Sequence, residues 1–548
     1  MKKRIQGKRK IKLVFLRTLY SQSGASLTMG NLASYLRKRG FDAVLCFLER
    51  NDLHAAEKIL TGGADMIIAK PNFKDYRDLL PLLKEIRLQN RTERVFLCGP
   101  FAVLNAEGIM AENEWLDGVI TGALEETAAD LLRSLCAGKP DPDMAGGVWR
   151  LFGEITRKKV RPAAISFNDM PPPARDIEEK EAVRYANVEA SRGCPHRCSF
   201  CHNPLMTRFN RPRGRVEVRS PEKVVDEIEY LNKKLGKSLF IFNDDCFWRG
   251  PADDRRILNF CREIKKRRLR IKYYVYLRCD PFVGAKVLKA MRETGLVRVF
   301  LGLENVAAGT QKKFNKGFVP DKFREVKSTL EKNGINYHIG YIVFEPYSNL
   351  RDIRKNIDYL HGLGKLFRLG ILIEPVRIIP GSDLHARLVE DGLARARQHY
   401  SRVTYGYRFR YPATAVLFRS VRRVFCEKLG PISYKYEYYC TAGGLLKALA
   451  EKENADLGAA LEENYGAFEA ARRKSMEIIH EYLKNLLARA RSGGRDPGKE
   501  RREDQEFAAV FEKAAMSLAL LYAEMAAAVI ARGGQRVVDE VYTGLDRL

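Results

Sequence analysis

Glu189-Ala190-Ser191-Arg192-Gly193-Cys194-Pro195-His196-Arg197-Cys198-Ser199-Phe200-Cys201-His202-Asn203-Pro204 places three cysteines within eight residues, spaced C-x3-C-x2-C. Three thiolates can hold three irons of a cubane [4Fe–4S] cluster and leave the fourth iron open to an outside ligand. Zinc is the rival metal, because His196 or His202 would complete a tetrahedral set. Zinc ligands usually come as two C-x2–4-C pairs. No second pair follows here, and cysteines such as Cys46, Cys98 and Cys261 stand alone in apolar patterns, as small core residues do.

The chain around this stretch alternates between strand and helix periods. Residues 188–190 read as the end of a strand that feeds the cysteine loop. Helix 221–235 follows, with Val224, Val225, Ile228 and Leu231 on one face. Strand 239–243 runs into Asp244 and Asp245, and helix 254–266 comes next. Strand 273–277 ends in Arg278, and strand 298–301 leads to Glu304. Further strands are expected over 336–344 and 371–379, with helices over 284–294, 322–333 and 350–363. Six strands with helices between them predict a partial (β/α)6 barrel whose site lies at the carboxyl ends of the strands.

Upstream, five strand–helix cycles predict a doubly wound α/β domain. The strands are expected over 11–16, 43–48, 66–69, 94–98 and 118–121. The helices are expected over 27–39, 52–60, 74–87, 104–111 and 125–136, the third kinked or split at Pro81. Ligands of such sheets sit beyond the carboxyl ends of the strands. The binding loops are therefore 18–26, 69–73, 99–101 and 121–123, where Gly99 and Gly122 permit close backbone approach. The division expected is 1–145 for this domain, 146–184 for an irregular linker, 185–390 for the barrel and 391–548 for a mainly helical region. In that last region helices are expected over 445–452, 467–491 and 506–532, with a linker over 492–504. A segment rich in Tyr and Arg near 400–439 is expected to pack over the barrel mouth.

The chain has 548 residues, too many for one core, and a net charge of +28. That charge favours acidic partners. Hydrophobic content of 45% fits a globular protein, and no run of about 18 uninterrupted apolar residues occurs. No secretory signal is expected, and isolated cysteines suit a reducing compartment, the cytoplasm.

Cys194 to Cys201, with Phe200 at the aromatic place, resembles the C-x3-C-x-aromatic-C motif of the radical S-adenosylmethionine (SAM) superfamily. Lys316-Gly317 is similar to that family's "nKg" segment, and Asp244-Asp245 to its acidic segment after the second strand. The resemblance implies that Cys194, Cys198 and Cys201 ligate a [4Fe–4S] cluster. It makes Asp244, Asp245, Arg278 and Glu304 candidate contacts to SAM. It also implies an electron donor such as flavodoxin or ferredoxin.

The α/β domain ahead of the barrel resembles the cobalamin-binding subclass. Gly146-Gly147-Val148-Trp149-Arg150 looks like the segment that closes that domain. Thr121 to Thr127 resembles its "GEgE-T" segment, with Ala123 in place of the first Glu, and Gly99-Pro100 stands where Gly-Gly is common. Asp52-Leu53-His54 begins like a D-x-H-x-x-G motif but has Glu57 at the Gly place, so His54 is not expected to bind cobalt. The resemblance implies a cobalamin-dependent enzyme that methylates an unactivated carbon, or phosphorus, of a small molecule or peptide, an anionic one being compatible with the charge. The alternatives are cyclisation or ring rearrangement without methylation, a methylthiotransferase with a second cluster on Cys46, Cys98 and Cys136, and a zinc-stapled nucleic-acid-binding protein. Nucleic acid is the partner least expected.

Overall fold

The computed structural model describes residues 10–17, 24–49, 63–72, 76–89, 94–137, 141, 143–180, 185–210, 216–317, 320–395, 406–493 and 496–545. The expected helix over 52–60, His54 and most of the loop 18–26 lie outside them.

The first sheet has seven strands: β1 (Lys10–Arg17), β2 (Asp42–Glu49), β3 (Met66–Ala69), β4 (Arg94–Leu97), β5 (Gly118–Ile120), β6 (Gly147–Leu151) and β7 (Glu154–Arg157), in the order β2-β1-β3-β4-β5-β6-β7. The first five are parallel. Separate apolar clusters cover its two faces, one around Leu79, Leu83 and Ile109, the other around Leu32, Leu36 and Leu132. All four residues of β3 are buried, as a strand covered on both faces must be. The segment after 145, expected to be irregular, instead adds the antiparallel hairpin β6–β7 to the sheet edge. Its short, glycine-flanked strands carry too little period to be seen in sequence. The helix Tyr76–Gln89 runs unbroken through Pro81. Proline there loses one bond near the helix start, and buried Leu79, Leu80, Leu83 and Ile86 hold the helix in place.

The second sheet contains β8 (Tyr185–Val188), β11 (Leu239–Phe242), β12 (Lys272–Arg278), β13 (Leu296–Glu304) and β14 (Asn336–Tyr341), all parallel, in the order β14-β13-β12-β11-β8. A two-residue ladder, β9 (Ser191–Arg192) with β10 (Glu217–Val218), lies beside it. The sixth strand expected over 371–379 is a short helix, Gly370–Ile373, followed by extended residues. Val376 N donates to Phe344 O at 2.9 Å. An apolar run of this length fits a buried helix turn as well as a strand.

The C-terminal helices share one core with this sheet: Val299, Leu445, Phe468, Phe511 and Val541 belong to one buried cluster. The helix Gly430–Glu453 begins earlier than expected and takes in Tyr434, Tyr436, Tyr438 and Tyr439, while residues 396–405 lie outside the described ones. The expected linker over 492–504 is mostly helix, since Pro497–Ala531 starts at Pro497. Asp504 stabilises that start while buried, accepting from Tyr482 Oη (2.7 Å) and pairing with Arg423 and Arg489. Pro497–Ala531 is long and apolar enough to cross a membrane, with mean hydropathy 1.8 over 18 residues, although no uninterrupted apolar run marks it. Its Phe507, Phe511, Leu518, Tyr522 and Val529 are buried against neighbouring helices. The helix Gln535–Leu545 closes the amino end of the second sheet. Buried Glu540 accepts from Ser238 Oγ (2.6 Å) and Lys272 Nζ (2.8 Å). The carboxyl end of that sheet is where the cysteine loop lies.

Candidate functional site

The chain leaves β8 at Val188 and carries the three cysteines across the carboxyl ends of the neighbouring strands. Two sets of bonds fix this loop without using its sulfurs. On one side Asp244, just past β11, accepts from Ala190 N (2.9 Å) and Ser191 Oγ (2.5 Å), and Asp245 accepts from Gly193 N (3.1 Å). On the other, Ser199 donates from N to Phe314 O (3.0 Å) and from Oγ to Lys313 O (2.7 Å), while Asn315 Nδ2 donates to Arg197 O (3.0 Å). The Phe200 ring lies 4.8 Å from Phe314.

Arg278 Nη1 lies 3.9 Å from Cys198 Sγ, and its Nη2 donates to Lys316 O at 2.7 Å. Lys316 is buried and donates to Glu304 Oε1 at 3.0 Å. Burial works against the Lys316 charge, but Glu304 and the neighbouring Cys198 outweigh it. Glu304 sits at φ +66 beside an irregularity in the β13–β14 register. A left-handed, non-glycine residue at a strand end is a strained placement that the surroundings must hold. Burial pushes the Cys201 thiol up to about 12 and also raises Cys194. Metal binding must therefore displace those protons, and Arg278 and Lys316 supply the positive field that favours thiolates.

Burial, with Arg278 and Lys316 adding repulsion, lowers His196 to about 4, and its Nε2 has no hydrogen-bond partner. Burial lowers His202 as well. Among the described residues one set of three or more His, Cys, Asp or Glu ligand atoms lies mutually within 4.8 Å, and it is elsewhere: His361, Glu477 and His480. The three thiols are thus not all within 4.8 Å of one another, whereas bonds of ~2.3 Å to one tetrahedral zinc hold every S···S pair near ~3.8 Å. A cubane, which binds each thiolate on a different iron, accepts the wider spread.

A cavity of about 410 Å³ joins this loop to the first sheet. Lys70, Cys98, Gly99 and Gly122, at the carboxyl edge of β3, β4 and β5, line one wall; Gly193, His202, Asn243 and Asp245 line the other. Gly99 has φ +87, and a Cβ there would lie 2.9 Å from the Lys70 side chain. A Cβ on Gly122 would lie 2.9 Å from the backbone of Arg161. Arg192 bridges the two parts, pairing with Glu125 and with Glu189 at 3.1 Å each. A second cavity, about 900 Å³ and walled by Phe200, Tyr341, Ile342, Ile371 and Phe425, starts at Cys201 and His202 and reaches His338 and Arg368.

The structure therefore gathers Cys194, Cys198, Cys201, Asp245, Arg278 and Glu304 at the carboxyl end of the second sheet, and it places Gly99 and Gly122 opposite the cysteine loop. Asp244 differs in that both carboxylate oxygens face Ala190 and Ser191, and burial raises it to about 7. It braces the loop. Lys70 falls in the binding loop expected over 69–73, but the pairing of Arg192 with Glu125 was not expected, because nothing local marks a residue that acts across two sheets.

Residues 188–360 match the family model of the Radical SAM superfamily. They form a radical SAM domain. Such a domain implies a [4Fe–4S] cluster and SAM. Among curated relatives, an uncharacterized methyltransferase (PH0819) of Pyrococcus horikoshii is 27% identical over 278 residues, 50% of this chain and 59% of that protein. An anaerobic magnesium-protoporphyrin IX monomethyl ester cyclase of Rubrivivax gelatinosus is 26% identical, over 61% of this chain and 62% of that protein. The chain thus matches about three fifths of the length of either. The radical SAM domain and its flanking units share their fold with the cobalamin-dependent radical enzyme OxsB, solved with aqua-cobalamin (TM-score 0.69, 17% identity, 98% of this chain, 84% of that one). They also share it with the methyltransferase TsrM of Kitasatospora setae, solved with cobalamin and a [4Fe–4S] cluster (TM-score 0.59, 14% identity, 89% and 100%). In the first sheet Cys46 and Cys98 are too far apart to share one cluster, and the side chain of Cys136 lies outside the described residues. Cys46 lies on β2 and Cys98 follows β4, with β1 and β3 between them. Three strand spacings put them roughly 14 Å apart.

Proposed function

We propose that this chain is a cobalamin-dependent radical SAM enzyme that methylates an unactivated carbon, or phosphorus, of its substrate. One observation carries the reading: the carboxyl edge of the first sheet, where doubly wound folds bind ligands, opens into the same 410 Å³ cavity as the cysteine loop. When bound, the cluster with SAM supplies a 5′-deoxyadenosyl radical and cobalamin supplies a transferable methyl group.

The protein's part is placement. Cys194, Cys198 and Cys201 hold the cluster, and Asp245 and Asp244 fix the loop that carries them. Arg278 and the Lys316–Glu304 pair set its electrostatics. Gly99 and Gly122 let the backbone come close to a flat macrocycle. The largely apolar 900 Å³ cavity takes the substrate. The basic surface suits an acidic electron donor such as flavodoxin or ferredoxin.

Anaerobic reconstitution tests this. The protein should take up about four irons and one cobalamin, and each turnover should release both 5′-deoxyadenosine and S-adenosylhomocysteine. Iron uptake without cobalamin would remove the methyltransferase reading. Cyclisation without methylation is the second reading, favoured by the cyclase relatives; it yields 5′-deoxyadenosine and no S-adenosylhomocysteine.

A further inference from the structure

The inner face of the second sheet carries a buried cationic site well below the cysteines. Alternate residues of a strand share a face, so inward side chains of β12, β13 and β14 stack in layers. Arg278 and Glu304 form the layer beside the cysteines. Tyr276, Phe300 and His338 form the next, with Phe300 5.1 Å from each of the other two rings. Arg298 and Tyr274 lie beneath, the guanidinium 5.9 Å from the Tyr274 ring.

Arg298 is 3% exposed. Its Nη2 meets His338 Nδ1 at 3.3 Å, while Nε and Nη1 have no hydrogen-bond partner. Arg368 also reaches His338, and it pairs with Glu437 at 2.7 Å. Lys365 donates to Tyr337 O at 3.3 Å and sits 3.8 Å from the Tyr337 ring. Arg472 pairs with Glu469. Glu437 and Glu469 thus neutralise Arg368 and Arg472, and no carboxylate among the described residues pairs with Arg298 or Lys365. Arg298, Lys365, Arg368, Arg472 and Glu469 line a cavity of about 490 Å³, to which Glu331 and Glu477 also contribute. Burial, with Arg368 adding repulsion, pulls Arg298 down to about 10, and burial with Arg472 and Arg298 pulls Lys365 well down. Arg298 is the buried member of the set, and a buried charge without a partner is costly, a cost that a bound anion removes.

We propose that Arg298, Lys365 and Arg368 form the subsite for an anionic group, carboxylate or phosphate, of the molecule this enzyme acts on. The assignment rests on the enzyme reading above. His338, Arg368 and Thr441 line both this cavity and the 900 Å³ cavity that starts at Cys201. A molecule anchored by its anion at Arg298, beside His338, lays its apolar body along Tyr341, Ile371 and Phe425 and presents its far end to the cysteine loop. The guanidinium forks of Arg298 and Arg368 suit either oxyanion.

The test is calorimetric titration of the full chain with inorganic phosphate and, separately, with benzoate. One of the two binds at one per chain, and which one names the anion. Arg298→Met weakens it at least tenfold, Lys365→Met weakens it severalfold, and Arg298→Lys retains part of the affinity. Binding of neither probe overturns the proposal, as does wild-type affinity in the Arg298→Met and Lys365→Met variants. A higher melting temperature in Arg298→Met with an unchanged response to the probe also overturns it. If Arg298→Met does not fold, Lys365→Met, at a partly exposed position, decides alone. Because the titration needs no cluster, a variant with Cys194, Cys198 and Cys201 changed to Ala binds the probe as wild type does. Failure of the radical chemistry is therefore separable from failure of this subsite.

Discussion

Replacing Arg278 by Gln removes the positive charge nearest the cysteine sulfurs. At an effective dielectric of ~20, a unit charge 3.9 Å from the Cys198 thiolate is worth about 4 kcal/mol. An electron added to a cluster spreads beyond that one sulfur, and doubling the distance leaves about 2 kcal/mol, or about 90 mV for one electron. The reduction potential of the reconstituted cluster should therefore fall by about 90 mV in Arg278→Gln. Arg278→Lys keeps the charge but loses the bond to Lys316 O, so it should recover half of the fall or more. The assay is a redox titration followed by electron paramagnetic resonance, with iron content measured on the same samples. Equal potentials in wild type and Arg278→Gln, at equal iron content, would refute the electrostatic role given to this residue.

Changing Cys194, Cys198 and Cys201 together to Ala should reduce iron from about four per chain to background and abolish 5′-deoxyadenosine formation. Circular dichroism should be preserved, because the loop is tied by Asp244, Asp245 and Ser199. Gly122→Leu should lower cobalamin uptake at least tenfold, read from the optical spectrum, and leave iron uptake unchanged, since its Cβ would meet the Arg161 backbone at the cavity wall. His338 is held well below its ordinary 6.5 by burial, with Arg368 and Arg298 adding repulsion. Its contribution to stability is thus complete above pH 6.5 and lost as pH falls below it, by up to about 1.4 kcal/mol per pH unit. Denaturant midpoints at pH 7.5 and 5.5 should converge in His338→Gln relative to wild type.

Much of the site was legible because its ligands are neighbours in the chain. The spacing of Cys194, Cys198 and Cys201 needs no fold to be read, and the strand ends bearing Asp245, Arg278 and Glu304 follow from hydrophobic period. The β6–β7 hairpin was missed because two short strands give a period-2 pattern too brief to stand out. The segment 371–379 differs from its expected strand because a short apolar run does not distinguish strand from helix. The charged start of the helix Pro497–Ala531 looked like a linker, since the partners of Asp504 lie on other helices.

Arg298 is a charge inside the apolar strand Leu296–Glu304, whose other charge, Glu304, stands at its end. Its sequence told of an exception, and only packing told that the exception is buried, short of an anion and facing a cavity. The sequence by itself determined the cysteine triad, two successive sets of parallel strands and the helical tail, because these depend on spacing and period within short windows. Tertiary structure alone decided that the edge of the first sheet faces the cysteine loop, that Arg192 ties the two, and that a cavity runs from Cys201 to Arg368. Those facts depend on contacts between residues far apart in the chain, whose pairing local pattern does not encode.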